Sequence, residues 1–382
     1  MQKVLFAIQR LKIGGIQKSL IEMLHMLPKD KFEVHVLYFH PKKVFLPNFP
    51  QDIFLHQAGV PSKDTLLSLI KTFHWIEALV FLSLWIYGRL CHNEYRFLHH
   101  KYCRKPDFMD GFVFDLAIAY HGSAEESSYY LCEKVRAKTK CMWIHEDVAH
   151  ENFRYEMMKR FSSDLSKIIL TSEKAQTHFN QKFPFLSDQS EVIRNIISKE
   201  NIIHMAKEGR TFTDKYEGKR ILTVGRFHHI KGQQLAIKAL KILLERGKAI
   251  KWYFVGNGES LKDCMKLAKR IGVDRHVVFL GAETNPYAYM RDCDVYVQPS
   301  LHESFCMTLG EALCFANPIV CTDFCGVDQM NGRPNGYITD ISAEAIADGI
   351  EKALNDKRIE VAPTQDTSNT DKLLQQLKTL SL

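Results

Sequence analysis

None of the ten cysteines forms a Cys-x-x-Cys, and none stands at zinc-ligand spacing from a histidine. That excludes zinc fingers, zinc ribbons and thioredoxin-type redox sites, and leaves the cysteines as reduced packing residues. A targeting leader is lacking, because Met1, Gln2 and Lys3 run straight into a strand pattern. No basic run with interleaved aromatics occurs either. The net charge of +7 therefore suits an anionic ligand or an anionic membrane surface, with no call for nucleic acid. A clean membrane span is also missing. The longest candidate, residues 66–90, is broken by Lys71, His74 and Glu77, whereas a spanning helix needs about 20 apolar positions. Together these absences imply a cytoplasmic globular protein.

What is present is enough chain for two cores: 382 residues, 46% of them apolar, exceed one ordinary domain. Residues 4–8 (VLFAI) read as a buried strand, followed by a turn holding Gly14 and Gly15. Residues 16–27 then have helical periodicity, with Leu20, Met23, Leu24 and Leu27 on one face, and 32–39 is the next strand. Strand, glycine turn, helix and strand make a βαβ unit and predict a parallel sheet. The grammar returns after residue 218. Strands are expected at 220–225, 251–255, 277–280, 294–298 and 319–322, with helices at 232–246, 259–271 and 309–315. The fold class is α/β, with domains at 1–205 and 206–359 and a tail at 360–382 that must dock or fray. Residues 66–105 break the pattern, being apolar and then basic through His99, His100, Lys101, Arg104 and Lys105. They predict either a buried or inter-subunit helix or one lying on a membrane surface.

The chemistry gathers in the second half. Arg226 leaves a strand end and Lys231 precedes a helix, and a helix N-terminus favours anions. A guanidinium and an ammonium there suit a diphosphate. The segment from Glu303 to Glu311 (ESFCMTLGE) follows another strand at the same sheet edge, and its carboxylates can accept hydrogen bonds from sugar or ribose hydroxyls. Gly256 and Gly258 permit close backbone approach. Each feature also has a plain structural explanation: a solvated basic turn, a glutamate complementing its helix dipole, and an ordinary glycine turn. Asp292 and Asp294 mimic an Asp-x-Asp metal motif, but they open a strand and are expected to be structural.

In combination, Gly-Arg-(four residues)-Lys-Gly, Gly-x-Gly-Glu and Glu-Ser-Phe-(five residues)-Gly-Glu-Ala resemble the retaining glycosyltransferases of family 4. The likeness covers nearly the whole chain. It implies the GT-B fold, two doubly wound Rossmann-like domains facing across a cleft. It also implies transfer from a nucleotide-diphosphate sugar, a UDP-sugar by family frequency, with no metal or other cofactor. The expected acceptor is a glycan or polyprenyl-linked glycan in bacterial surface polysaccharide assembly, such as capsule, at the inner face of the membrane. Carried over by position, Arg226 and Lys231 bind the diphosphate, Glu311 the ribose and Glu303 the transferred sugar. Amides near Phe305, Cys306 and Met307 assist, with Gly256 close by and Glu283 where the base is read. In the first domain Gly14 and Gly15 approach the phosphates and His145 sits near the reacting carbon, although a histidine ending a strand can also be purely structural. Cys306 stands where many relatives have glycine, which implies a narrowed sugar pocket, and residues 326–336 are less regular than usual. Two alternatives stay open: a nucleotide-sugar epimerase or hydrolase of the same fold, and a non-catalytic sugar-nucleotide-binding subunit.

Overall fold

The computed structural model describes residues 1–11, 14–40, 49–58, 75–90, 108–122, 125–150, 155–359 and 375. Among the described residues the chain divides into two compact units, Met1–Thr171 with Gln176–Ile193 and Gln375, and Ser172–Ala175 with residues 194–359. The elements up to Val192 are β1 (Gln2–Arg10), α1 (Gly15–Met26), β2 (Phe32–His40), β3 (Phe54–Gln57), α2 (Trp75–Leu90), β4 (Phe114–Ala119), α3 (Glu125–Glu133), β5 (Ala137–Ile144), α4 (Tyr155–Phe161), β6 (Lys167–Leu170), α5 (Glu173–Lys182) and β7 (Ser190–Val192). The described strands of the first unit form a parallel sheet in the order β3-β2-β1-β4-β5-β6-β7.

The second unit continues with α6 (Lys199–Glu208), β8 (Lys219–Val224), α7 (Gln233–Glu245), β9 (Ile250–Val255), α8 (Leu261–Arg270), β10 (Val277–Gly281), α9 (Tyr287–Asp292), β11 (Val295–Gln298), α10 (Met307–Leu313), β12 (Ile319–Thr322), β13 (Gly336–Thr339) and α11 (Ala343–Ala353). Its parallel sheet runs β10-β9-β8-β11-β12-β13. These are two doubly wound, Rossmann-like domains, as the alternation of strands and helices predicts.

Parallel strands covered on both faces read as continuous apolar runs. Ile221, Leu222, Thr223 and Val224 of β8 are accordingly all buried. Thr223 meets the cost of burying a hydroxyl by donating to the Val297 carbonyl at 2.8 Å and accepting from Trp252 Nε1 at 3.1 Å. Helix α7 packs Ala236, Ile237, Leu240 and Leu243 into the same core as Trp252 and Phe254, the spacing of one helix face. Ser342 caps α11 by accepting from the Ala345 amide at 3.0 Å.

The change of unit falls at Ile193 and Arg194, earlier than the expected 205/206. The difference is α6, whose Ile202 and Ala206 bury in the second core with Tyr287 and Met290. The polar residues of that helix, among them Glu200, Lys207 and Glu208, lie on its exposed face. In α2, Trp75, Leu79, Val80, Leu82, Trp85, Ile86 and Tyr87 are exposed, Leu79 at 64%. No described helix is long and apolar enough to cross a membrane. The basic residues 99–105 and the tail from 360, Gln375 apart, lie outside the described residues.

Gly232 ties the fold to the site. It caps α7 with φ 66°, and a Cβ there would stand 1.8 Å from the Pro299 carbonyl oxygen, a backbone atom that cannot swing away. Gly232→Ala should cost more than the ~1–2 kcal/mol of left-handed strain alone, read as a lower urea midpoint at unchanged slope. A loss below that range would show that the two loops can separate.

Candidate active site

Both sheets have a switch point, where the chain leaves a central strand for one side and later returns to the other. Ligands of doubly wound domains bind beyond the strand ends at that place. In the second domain it lies where β8 and β11 pair, Val295 opposite Ile221 and Tyr296 opposite Leu222. The loop after β8 carries Gly225, Arg226 and Lys231, and the loop after β11 carries Glu303. Backbone bonds fix one to the other, with the Leu301 amide donating to the Ile230 carbonyl at 2.7 Å. Gln233 Nε2 holds the Arg226 carbonyl at 3.0 Å.

Those constraints bring two of the expected residues into direct contact. Lys231 Nζ donates to Glu303 Oε1 at 2.6 Å, with the side chains only 22% and 10% exposed. Burial works against the Lys231 ammonium, but the Glu303 carboxylate outweighs it and holds the pKa above the ordinary lysine value. The ammonium is therefore charged at neutral pH. Arg226 is exposed at the strand end. Two cations against one carboxylate leave a net positive charge that attracts an anionic group such as a diphosphate, and the carboxylate remains an acceptor for hydroxyls.

Glu311 is buried in α10, where Oε1 accepts from the Tyr287 hydroxyl at 3.1 Å. Phe305 and Cys306 precede that helix and Met307 begins it. Cys306 has φ 67° and is 6% exposed, its thiol 3.4 Å from the Thr308 hydroxyl. Burial pushes this thiol well above its usual pKa. The thiol is thus packed inside the protein and does not stand out as a plug in a pocket. Residues 325–330 back the loop as a short 3-10 turn, in which Gln329 Nε2 donates to the Phe305 carbonyl and the Cys325 amide to the Glu303 carbonyl at 3.1 Å. The irregularity seen there in the sequence belongs to this supporting wall.

At Gly256 the structure revises the reason for glycine. A Cβ would lie 1.9 Å from the Gly225 carbonyl oxygen, so the turn after β9 is kept bare by the neighbouring loop, whatever ligand it also meets. Glu283 follows β10 at the same edge, half-buried near Tyr289. Asp292 and Asp294 lie at the opposite end of β11. Asp292 pairs with Arg291 at 2.7 Å and 2.9 Å, and Asp294 accepts from Lys219 and the Arg220 amide. Asp292 closes α9 where a strand start was expected, and these pairings support the structural reading of both aspartates. A different group stands beside Arg226: His228, His229 and Glu259 bring three potential ligand atoms within 4.8 Å of one another.

In the first domain, Gly14 precedes α1 in an extended conformation and Gly15 begins the helix. His145 follows β5, its ring stacked on Trp143 at 5.8 Å and tilted over Tyr120 at 4.6 Å. Burial lowers its pKa to about 3, against the opposing pull of Glu146, so the imidazole is neutral. Tyr120 is in turn held by Ser19 at 2.7 Å, and His121 meets Glu146 at 3.1 Å. Sequence reading missed these neighbours, as it missed Tyr287, Gln298 and Ser300. Their one signal was a polar residue ending an apolar strand, at Tyr120-His121 and at Gln298.

Residues 207–369 match the family of glycosyl transferases group 1. That match spans most of the second domain, which is thus similar to group 1 glycosyl transferases. Across 370 residues, 95% of this chain and 93% of the other, it is 26% identical to the Campylobacter jejuni N-acetylgalactosamine-N,N'-diacetylbacillosaminyl-diphospho-undecaprenol 4-alpha-N-acetylgalactosaminyltransferase. Protein CapJ of Staphylococcus aureus is 26% identical over 215 residues, 53% of this chain and 51% of its own. Among solved structures, Anabaena Alr3699/HepE in complex with UDP and glucose superposes with a TM-score of 0.69 at 18% identity, covering all of both chains. TarM of S. aureus, in complex with fondaparinux, alpha-GlcNAc-glycerol and UDP, gives 0.69 at 13%, again over both full chains. These neighbours have the GT-B fold, and so has this glycosyltransferase homologue.

His145, half-buried with both ring nitrogens shielded from water and the imidazole neutral, generates a pH prediction. Its folded pKa lies below the unfolded value of about 6.5, so the unfolded chain binds the extra proton and acid destabilises the fold. Between pH 7.5 and pH 5 wild type should lose about 2 kcal/mol more than His145→Phe in denaturant titrations. Parallel losses in the two proteins would mean that the imidazole is protonated in place.

Proposed function

We propose that the protein transfers a sugar from a UDP-sugar to a lipid-linked glycan, retaining the anomeric configuration and needing no metal. The setting is bacterial surface polysaccharide assembly, such as capsule, at the cytoplasmic face of the membrane. The observation that carries this reading is the buried Lys231–Glu303 pair at the switch point, with Arg226 leaving the adjoining strand.

The bond broken joins the anomeric carbon to a phosphate oxygen. Its electron pair stays with the departing nucleoside diphosphate, where Arg226 and Lys231 meet the growing negative charge. The acceptor hydroxyl attacks from the same face of the oxocarbenium-like sugar, and its proton passes to the leaving phosphate. Glu303 Oε1 accepts from both Lys231 at 2.6 Å and Ser300 at 2.8 Å. These two donors fix the carboxylate's orientation, which supports a role in positioning the sugar or stabilising its charge. Glu311, steadied by Tyr287, takes the ribose hydroxyls; amides at Phe305, Cys306 and Met307 assist, and Glu283 lies toward the base. In the first domain, the carboxyl edge of the sheet with Gly14, Gly15 and neutral His145 is the acceptor side. The Campylobacter relative is named for adding its sugar in alpha linkage to a diphospho-undecaprenol-linked saccharide, which supports a polyprenyl-linked acceptor. The exposed apolar side chains of α2 support docking on a lipid surface.

Arg226→Ala and Lys231→Ala should each lower turnover about 10²–10³-fold with the fold intact, the usual cost of removing one preorganised donor. Near-normal turnover in either overturns the assignment. Product analysis with and without a polyprenyl-linked acceptor separates transfer from hydrolysis or epimerisation. Activity should be undiminished in EDTA, and loss there would hand His228, His229 and Glu259 a metal role. Making the exposed Trp75, Leu79 and Trp85 polar should abolish co-flotation with anionic liposomes while leaving the thermal transition unchanged. Flotation equal to wild type removes the membrane docking assigned to α2.

A further inference from the structure

Behind Glu303 runs a chain of buried polar groups that no motif contains. Gln298, Ser300 and Tyr296 are each 1% exposed or less. The Tyr296 hydroxyl donates to Gln298 Oε1 at 2.7 Å, and the Thr308 hydroxyl donates to the same oxygen at 3.1 Å. Two hydroxyl donors on one oxygen fix the orientation of the amide. Gln298 Nε2 then faces Ser300 Oγ at 2.9 Å, and Ser300 Oγ faces Glu303 Oε1 at 2.8 Å. Ser300 has a single proton. Because it already accepts from the amide, it must give that proton to Glu303. Cys306 Sγ, 3.4 Å from Thr308, extends the other end. The hydroxyl of Thr308 is spent on Gln298, so the thiol is its donor.

Every bond in the chain therefore points one way, toward the carboxylate, where Lys231 adds its own donation at 2.6 Å. Ser300 and Lys231 converge on Oε1, which leaves the lone pairs of Oε2 for hydrogen bonds to a ligand. We infer that Gln298 and Ser300 are positioning residues for sugar transfer, forming a directional hydrogen-bond relay that holds Glu303 as an oriented acceptor for the donor sugar's hydroxyls. The inference deepens the proposed transferase reading and rests on it.

The experiment follows UDP release from UDP-glucose, UDP-N-acetylglucosamine and UDP-N-acetylgalactosamine, alongside UDP affinity by calorimetry. UDP lacks the sugar that Glu303 would hold. Ser300→Ala should therefore lower kcat about tenfold to a hundredfold, the range of partners that orient a ligand-contacting group, while UDP affinity is unchanged. Ser300→Thr keeps the hydroxyl and should restore most of the rate. Gln298→Glu tests direction. As an acid the new carboxyl still donates to Ser300; ionised, it accepts and pulls the serine proton away from Glu303. Relative turnover of this variant should fall as pH rises, in surroundings whose titratable groups are Tyr296, Cys306, Glu311 and the Lys231–Glu303 pair. An unchanged kcat in Ser300→Ala, an equal loss in Ser300→Thr, or a Gln298→Glu profile superimposed on wild type each overturns the relay. Those results leave the transferase reading standing. Wild type inactive on all three donors overturns the reading and the relay together.

Discussion

An ammonium and a carboxylate placed 2.6 Å apart and mostly out of water set the terms for the second domain. Removing each from solvent costs several kcal/mol. Their attraction, ~4 kcal/mol for unit charges near 4 Å at an effective dielectric of ~20, roughly offsets this. A pair of leucines could fill the volume with equal or better stability. As scaffolding the pair gains little; in the proposed reading its role is to keep a cation and an acceptor desolvated before any ligand arrives, as a preorganised site does.

Holding the pair requires two loops that are distant in sequence to be rigid neighbours. The parallel order supplies the neighbourhood, because β8 and β11 are adjacent although β9 and β10 intervene in the chain. Three contacts then lock the loops. Thr223 reaches the Val297 carbonyl, the Leu301 amide reaches the Ile230 carbonyl, and Gly232 lets the Pro299 carbonyl sit where any Cβ would be. Residues 325–330 support the Glu303 segment from behind, and Gly326 is bare because the Phe305 carbonyl occupies the place of its Cβ.

The fold was legible because its signals are repetitive. Runs such as the one from Ile221 to Val224 and the helical face of Ala236, Leu240 and Leu243 announce a covered parallel sheet, and the βα turns announce which edge carries the site. That Arg226, Lys231 and Glu303 share one sheet edge was legible because each follows a strand pattern, and the parallel order brings those loops together. The limit of the first domain was less so, since the polar outer face of α6 looks like a linker until Ile202 and Ala206 are seen to bury. Gly256 was assigned to ligand approach for want of the neighbouring Gly225 carbonyl. Residues 66–90 were ambiguous because an apolar helix carries no mark of what covers it.

Least legible were the uncharged members of the site, and Cys306 shows why. In the sequence it is a departure from glycine. In the structure it keeps the left-handed conformation that glycine would adopt freely, at a cost of ~1–2 kcal/mol for a residue with a Cβ. Two gains offset that cost: a side chain removed from water at 6% exposure, and a thiol donor for Thr308. The same holds for Gln298, a glutamine at the end of a buried strand. Burying an amide is unfavourable unless it is hydrogen-bonded, and here its oxygen accepts from Tyr296 and Thr308 while its nitrogen donates to Ser300. Such residues have no spacing rule, because their partners come from the strand, the following loop and the next helix at once. Only the folded arrangement reveals that their hydrogen bonds share one direction, and that the direction ends on the carboxylate beside Lys231.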